Sequence, residues 1–449
     1  MFNNKGRERI VMKNRDVMRR NTLYIIHFAA GTRFLIFIKD MLTASRLGIS
    51  YKMDSYILAL STIMLITKVI GDGIVVALIP LLQEIQEKHG TKRKIDYTNN
   101  LLNITVIVSL ILVSIGYVGA PIIIKIFGPG FKGNELEKTI LLFRIGLPIV
   151  TLSWVRAIGG GYLQSEHAFK AGAKGGVSNA LVFILYLLFF ANFFGLKGLM
   201  VAGIVGVISQ IYIIFKVMVI KGYRYEYRLD LKDRYLGKVV VFLLPIILGV
   251  GVNELNNSID NAIASTLSVG SIAELNYAND IINLFIGLFI VAIVTVIFPV
   301  LSESHNKKDE KRLKGEIQNG INILLIISIP VAIILMTMAQ PVVKIFFERG
   351  AFDGKATILT SQALIYYAIG LPAMSLMPLI TRTYYSVHDM KTPVVISIIA
   401  LMVNIVIDLS LAPFMGARGV ALGTSLSTIL AAALGLYDLN RRLGFWKRV

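Results

Sequence analysis

Twelve stretches of the chain are long and apolar enough to cross a lipid bilayer, and this property constrains the fold more than any other. A helix needs about 20 mainly apolar residues to span the hydrocarbon core. Since that core offers no water to unpaired backbone groups, each stretch is predicted to be a helix, which gives an all-α integral membrane protein. The predicted spans are 22–45, 54–83, 100–120, 139–163, 173–193, 198–220, 238–266, 277–302, 317–340, 358–384, 393–413 and 418–438.

Composition supports a membrane protein. Of 449 residues, 55% are hydrophobic and 16% are charged, which is too apolar for a soluble chain. The net charge of +19 would suggest nucleic acid in a soluble protein. Here Lys and Arg concentrate at both termini and in alternate loops, so the charge reflects a topology with cytoplasmic termini and contact with membrane lipids. We expect no nucleic-acid partner.

Cysteine and histidine exclude several other classes of site. The chain has no cysteine, which excludes disulfides, thiolate metal sites and cysteine nucleophiles. The five histidines are scattered without the spacing of a zinc site.

The two halves of the sequence resemble each other. Pro80–Glu84 (PLLQE) recurs as Pro299–Glu303 (PVLSE), and Ser165–Lys170 (SEHAFK) recurs as Ser386–Lys391 (SVHDMK), at a nearly constant offset. With six spans in each half, the repeats are parallel, and we expect two six-helix bundles around a central cavity. The predicted domains are a basic cytoplasmic N-terminus 1–21, an N-terminal bundle 22–220, a cytoplasmic linker 221–237, a C-terminal bundle 238–440 and a cytoplasmic tail 441–449.

The first predicted span contains three charged residues, Arg33, Lys39 and Asp40. A charge near the bilayer centre costs roughly 3 kcal/mol, so it is normally kept where it faces water or a partner. Arg33 and Asp40 are about two helical turns apart and share a face. This pattern predicts the cationic wall of a water-filled cavity, with one counter-ion. An Arg–Asp pair that fixes helix packing, or a Lys39 that extends to the interface, is the alternative.

A second polar group lies in the last third of the chain. Asn404 and Asp408 are four residues apart in one span, as are Val420 and Thr424 in the next, and Asp260 lies in the seventh span. Carboxylate, amide, hydroxyl and backbone carbonyl oxygens are ligands for a hard cation. The alternative is that Asn404 and Asp408 only form hydrogen bonds within the bundle, with Asp408 protonated.

Three motifs carry a family resemblance: FERGAFD at Phe347–Asp353, YYSVHDMKTPV from Tyr384, and GVALGTSLS at Gly419–Ser427. With them the chain resembles the MurJ (MviN) lipid II flippases of the multidrug/oligosaccharidyl-lipid/polysaccharide exporter superfamily. The resemblance implies a transporter rather than an enzyme, acting as a monomer in the bacterial cytoplasmic membrane. Its expected substrate is a lipid-linked oligosaccharide diphosphate of the undecaprenyl type, moved to the outer leaflet by alternating access.

The resemblance also implies two sites. The family's cavity residues match Arg33, Lys39 and Asp40, its acidic residue at the mouth of the second span matches Asp54, and Lys68 stands beside Thr67, where the family has Arg. The predicted substrate-binding residues are Thr32, Arg33, Lys39, Asp40, Asp54 and Lys68. The predicted Na⁺ site, which matches that of sodium-binding members, consists of Asp260, Asn404, Asp408, Val420 and Thr424.

Two departures leave other functions open. Asp280 stands where the family has a cavity Arg, and the chain ends after twelve predicted spans, whereas typical members carry two more. These departures favour a flippase for capsular or other polysaccharide precursors. A multidrug/cation antiporter would need an acidic and aromatic cavity, which Arg33 and Lys39 argue against. A membrane enzyme acting on polyprenyl phosphates would need clustered catalytic carboxylates or histidines, and the sequence has none.

Overall fold

The structure is a computed structural model that describes residues 31–446, apart from the side chains of residues 244–246, 248 and 250. All regular secondary structure between residues 31 and 446 is helical, which confirms the predicted all-α fold. The predicted basic N-terminus, the start of the first span and the last three residues of the predicted tail lie outside the described residues.

Fourteen helices make up the described chain, and two short π-helical segments, Tyr186–Phe190 and Ile286–Ile290, join α5 to α6 and α8 to α9. The helices are α1 (31–47), α2 (Tyr51–Phe127), α3 (Gly133–Gly146), α4 (Pro148–Ser165), α5 (Lys170–Leu185), α6 (Ala191–Ile220), α7 (Arg234–Ala264), α8 (Ser271–Phe285), α9 (Val291–Asn306), α10 (Glu310–Thr337), α11 (Ala339–Phe347), α12 (Gly354–Ser386), α13 (Lys391–Met415) and α14 (Ala417–Leu443).

Several of these helices together form the predicted spans. Eight helical units of the described chain are long and apolar enough to cross a membrane. Two of them, Tyr51–Phe127 and Lys170–Ile220, contain two predicted spans each, and the backbone leaves helical geometry within them at Gly90 and Gly195. With α7, which covers the seventh predicted span, and α1, which covers the described part of the first, helices are present at all twelve predicted spans.

The internal repeat is visible in the backbone itself. Among the described residues, twelve have a positive φ, and they form six pairs at the offset of the sequence repeat. The pairs are Gly48 and Gly270, Gly90 and Lys308, Gly133 and Gly350, His167 and His388, Gly195 and Gly416, and Gly222 and Gly444. A positive φ is uncommon outside glycine, so the matched histidines (φ 55° and 62°) are strong support for two parallel repeats.

Side-chain caps define where several helices begin. Ser50 accepts a hydrogen bond from the Met53 amide at α2, and Asp309 accepts one from the Arg312 amide at α10. Each cap satisfies a backbone donor that has no partner within its own helix. The two caps therefore fix the first turns of α2 and α10.

The segment between the two halves is bound along α2. The side-chain amides of Asn99, Asn100 and Asn103 donate to the backbone carbonyls of Arg224, Asp230 and Arg228, at 3.1, 2.8 and 2.8 Å. Residues 223–230 are thus held against the N-terminal half, because side chains satisfy backbone groups that no secondary structure pairs. We call the end of the molecule that carries this segment the linker end.

Candidate functional site

A cavity of about 270 Å³, the central cavity, lies where α1, α2, α7 and α8 meet. Its walls come from both halves of the chain, as the internal repeat predicts. Two lysines and four carboxylates line it: Lys39, Asp40, Lys68, Glu254, Asp260 and Asp280. The wall therefore has mixed charge, whereas the sequence predicted a net positive one.

Both cavity lysines are paired with carboxylates. Lys39 forms an ion pair with its neighbour Asp40, and Asp280 of α8 is close enough to interact electrostatically with Lys39. The ammonium nitrogen of Lys68 lies 2.9 Å from a carboxylate oxygen of Glu254 on α7. The sequence did not predict the pairing with Glu254, because the two residues are distant along the chain.

The other predicted substrate-binding residues lie away from the central cavity. Arg33 is exposed in the first described turn of α1. It packs near Gly287, since its Cδ would lie 3.2 Å from a Cβ added to that glycine. It forms no ion pair with any residue between 31 and 446. The methyl carbon of Thr32 would lie 3.0 Å from a Cβ added to Gly176. The structure thus brings Lys39, Asp40 and Lys68 together at one cavity.

The five residues predicted to bind sodium converge between α7, α13 and α14. The Thr424 hydroxyl lies 3.2 Å from an Asp260 carboxylate oxygen and 3.1 Å from the Val420 carbonyl. The Asn404 amide nitrogen lies 3.3 Å from Asp408 Oδ1. With the Asn404 amide turned by 180°, its nitrogen would instead donate to Asp260 at 2.9 Å. Whether these residues bind sodium stays a prediction.

The donor set suits a small hard cation. Asp260 and Asp408 are buried, and neither forms an ion pair with a Lys or Arg of the described chain. Burying two carboxylates without such partners destabilises the folded protein unless a bound cation or a proton compensates their negative charge. Among residues 31–446, no three acidic, histidine or cysteine side chains are arranged so that they could hold a metal ion together.

Gly423 leaves room for Asp408 at this site. A Cβ added to Gly423 would lie 1.8 Å from Asp408 Oδ1 and 3.4 Å from the Asn404 amide nitrogen. The close packing of α13 on α14 therefore requires glycine here. The GVALGTSLS motif contains this glycine, which the sequence reasoning did not single out.

Asp54 joins the two halves of the molecule. Its carboxylate accepts hydrogen bonds from the backbone amides of Gly270 at 2.5 Å and Ala273 at 2.8 Å, at the start of α8. A carboxylate at a helix N-terminus satisfies free N–H groups and interacts favourably with the helix dipole. Asp54 is 2% exposed and does not line the central cavity. A role for it in substrate binding stays a prediction.

Further contacts join the halves at the same end, which we call the distal end and which carries the turns 48–50, 128–132, 265–270 and 348–353. The Gly130 amide donates to the Ser265 hydroxyl at 3.2 Å, and the Ala351 amide donates to the Ser45 carbonyl at 2.7 Å. Each contact joins one of the turns 128–132 and 348–353 to the opposite half of the molecule. A pair of related contacts thus closes the distal end.

At the linker end, ion pairs join α2 to the start of α7. Glu84 accepts from Lys238 and Lys88, each at 2.8 Å, and these hydrogen bonds lower the pKa of Glu84 to about 2. Arg93 donates to Asp233 at 2.7 Å. The start of α7 is therefore fixed to the N-terminal half.

A larger cavity of about 810 Å³, the C-terminal chamber, lies between α7, α8, α12, α13 and α14. Asn257, Asn279 and Asn283 line both this chamber and the central cavity, so the two are adjacent. These residues were not among those predicted from the sequence. The signal was present as two stripes with helical spacing, formed by Asn253, Asn256 and Asn257 on α7 and by Asn276, Asn279 and Asn283 on α8.

The fold and the cavity define a class of protein: a multi-pass transporter with twelve membrane helices in two bundles around a cavity. A solved structure described as the inward-facing conformation of a multidrug resistance MATE family transporter of the MOP superfamily superposes with a TM-score of 0.80. It is 16% identical and covers 92% of this chain, which covers 94% of it. At this identity the likeness shows the fold alone, and it confirms the predicted two-bundle architecture.

A second solved structure, "Lipid II flippase MurJ, inward closed conformation", has a TM-score of 0.82 and 25% identity, with 93% of this chain and 87% of that chain covered. The family model "Lipid II flippase MurJ" matches residues 43–448. The chain belongs to the lipid II flippase MurJ family, and it is a transporter, not an enzyme.

Relatives with the same description cover most of the chain. The probable lipid II flippase MurJ of Vibrio cholerae is 27% identical over 435 residues, which are 92% of this chain and 82% of the relative. The lipid II flippase MurJ of Thermosipho africanus is 28% identical over 413 residues, with 91% and 83% covered. The predicted resemblance is confirmed, and with it a multi-pass protein of the bacterial inner membrane that handles a lipid-linked precursor.

Proposed function

We propose that this chain moves lipid II of the undecaprenyl type from the inner to the outer leaflet by alternating access, as a monomer with both termini in the cytoplasm. The observation that carries the proposal is the charged central cavity between two repeated bundles, in a chain of the MurJ family. A cavity at the interface of two repeats can open to either side when the bundles rock.

Lys39 and Lys68 are the groups that would bind the diphosphate. Each is held by a carboxylate in the described conformation, Lys39 by Asp40 and Lys68 by Glu254. A diphosphate would displace these carboxylates as the partner of the lysines, since a denser anion attracts an ammonium more strongly. The carboxylates hold the lysines in position until the substrate arrives.

Asp260 and Asp408 would hold the sodium ion together with the oxygens of Asn404, Val420 and Thr424. A bound Na⁺ supplies the positive charge that two buried carboxylates lack. These ligands lie on α7, α13 and α14, so a movement of α7 against the other two helices changes the affinity of the site. Such a difference in affinity would shift the balance between the two access states, and the membrane potential would assist.

Complementation tests the proposal. In a bacterium depleted of its own lipid II flippase, we expect the wild-type chain to restore growth, and Lys39→Ala to fail at equal expression. The matched control is Lys307→Ala, since Lys307 is 65% exposed and, among residues 31–446, forms an ion pair with Glu303 alone, one turn away on α9. Failure of the wild-type chain would refute the proposal, and growth with Lys39→Ala would refute the role of Lys39.

A flippase for another lipid-linked polysaccharide precursor is the second candidate. The excess of carboxylates in the central cavity favours it, because Asp280 weakens the attraction for a diphosphate near Lys39. In that case the wild-type chain would not restore growth after depletion of the lipid II flippase. It would instead restore capsule or exopolysaccharide production in a strain that lacks the corresponding flippase.

A further inference from the structure

The asparagine stripes on α7 and α8 present unpaired amides to the C-terminal chamber. The side chains of Asn253, Asn257, Asn279 and Asn283 form no hydrogen bond with any described residue, and all four line the chamber. An amide that is unpaired within a membrane-spanning helix is unfavourable unless water or a ligand satisfies it. The stripes thus point to a chamber built for a polar occupant.

The chamber carries little charge. Among the described residues that line it, Asp260 and Arg382 are the acidic and basic ones, and Asp260 belongs to the predicted sodium site. The remaining polar lining consists of amides and hydroxyls, which both donate and accept hydrogen bonds. Such a surface matches neutral hydroxyl and amide groups and lacks the several cations that a diphosphate needs.

Arg382 lies on the wall of the chamber near the end of α12. Its guanidinium stacks on the ring of Phe298, 5.1 Å from the ring centroid, and forms no ion pair within residues 31–446. A guanidinium can bind a carboxylate through two parallel hydrogen bonds. Stacking on Phe298 holds it in place without using its charge.

We propose that the C-terminal chamber binds the saccharide-bearing head group of the lipid-linked substrate through the asparagine stripes, and that Arg382 binds a carboxylate on that head group. This inference rests on the proposed function. The two cavities share the lining residues Asn257, Asn279 and Asn283. One ligand can therefore place its diphosphate at Lys39 and its head group in the chamber. At about 810 Å³ the chamber is within the range of small-molecule binding sites.

Binding measurements on the purified full-length chain in nanodiscs test the inference. The probes are lipid II and undecaprenyl diphosphate, which has the same tail and diphosphate but no head group. We expect Asn253→Leu and Arg382→Gln each to weaken lipid II binding by about tenfold, with undecaprenyl diphosphate binding unchanged. The matched controls are Asn322→Leu on α10 and Arg144→Gln on α3. Asn322 is exposed and Arg144 is half-buried, both lie outside the two cavities, and both variants should bind the two lipids like the wild type.

The carboxylate partner is tested with lipid II whose carboxylates are amidated. The wild type should bind this lipid about tenfold more weakly than lipid II, and Arg382→Gln should bind the two equally. If Arg382→Gln still discriminates between them, the carboxylate assignment is refuted.

The outcomes separate this inference from the proposed function. If the wild type prefers lipid II and both chamber variants keep that preference, the chamber assignment fails and the proposed function stands. If both variants lose affinity for both lipids equally, the effect is general damage and the assignment also fails. If the wild type binds neither lipid, the proposed function fails, and the inference fails with it.

Discussion

Replacing Asp54 with alanine should open the distal end of the molecule. The Asp54 carboxylate is 2% exposed and accepts two hydrogen bonds from the start of α8, so its removal leaves the Gly270 and Ala273 amides without that partner. A hydrogen bond to a charged group contributes about 1.5–3 kcal/mol, and loss of a helix cap typically costs about 1 kcal/mol. Water satisfies these amides once the distal end opens. We therefore expect the free-energy difference between the closed and open states to fall by about 3 kcal/mol, which raises the population of the open state roughly 100-fold.

A single introduced cysteine measures this opening, because the chain has no cysteine of its own. Ser271 is 2% exposed beside the Asp54 contact, so Ser271→Cys should react slowly with a membrane-impermeant maleimide. In the Asp54→Ala background the reaction should be roughly 100-fold faster, in line with the larger open population. Asp54→Asn keeps one acceptor oxygen and should give an intermediate rate.

The matched control is Asp309→Ala, which removes the cap of α10 and no contact between the halves. It should leave the labelling rate of Ser271→Cys unchanged. An unchanged rate with folded Asp54→Ala protein would refute the reasoning, since the Asp54 contact would then contribute nothing to closure. An equal increase with Asp309→Ala would show general loosening instead.

Three other changes test the distal contacts and the cation site. Gly130→Ala should also accelerate labelling of Ser271→Cys, because the new Cβ would lie 1.9 Å from the Ser265 carbonyl oxygen. Its control is Gly160→Ala, whose Cβ would have no described atom within 4 Å outside the backbone of its own helix. Sodium should raise the melting temperature of the wild type relative to potassium at equal ionic strength, and Asp408→Asn should abolish the difference, because a ligand stabilises the state that binds it. Gly423→Ala should abolish it as well, since its Cβ would displace the Asp408 carboxylate.

Each of these three expectations has an outcome that contradicts it. Wild-type labelling in Gly130→Ala would mean that the distal end tolerates the extra methyl group. A sodium effect that survives Asp408→Asn would place the ion elsewhere. A sodium effect that survives Gly423→Ala would mean that α13 and α14 separate enough to keep the site intact.

The spans, and the approach of Asn404 to Asp408, could be predicted from the sequence because both depend on local spacing. Apolar stretches must become helices in a bilayer, and the i,i+4 spacing of Asn404 and Asp408 places both on one face of α13. The structure brings Asp260 of α7 to the same place, as the family resemblance implied. The repeat was equally predictable, since the two halves conserve the residues at their turns.

The pairings between the halves could not be predicted in this way. Nothing near Lys68 in sequence indicates that Glu254 will lie beside it, and nothing near Asp54 indicates that its carboxylate will cap α8. Both contacts depend on how one bundle packs on the other, which the periodicity of a single helix does not encode. The asparagine stripes are a different case. Their helical spacing is present in the sequence, but the apolar residues between them made it hard to recognise.

The bound linker also determines how the protein sits in its membrane. The asparagines of α2 hold the backbone of Arg224 and Arg228 beside residues 99–103, at the start of the predicted span 100–120. Anionic lipid head groups attract such charges, by about 1 kcal/mol for each near the surface. The position of this segment therefore sets how deeply the protein lies in the membrane. A bilayer of a different thickness must change its local thickness to match the protein at this face.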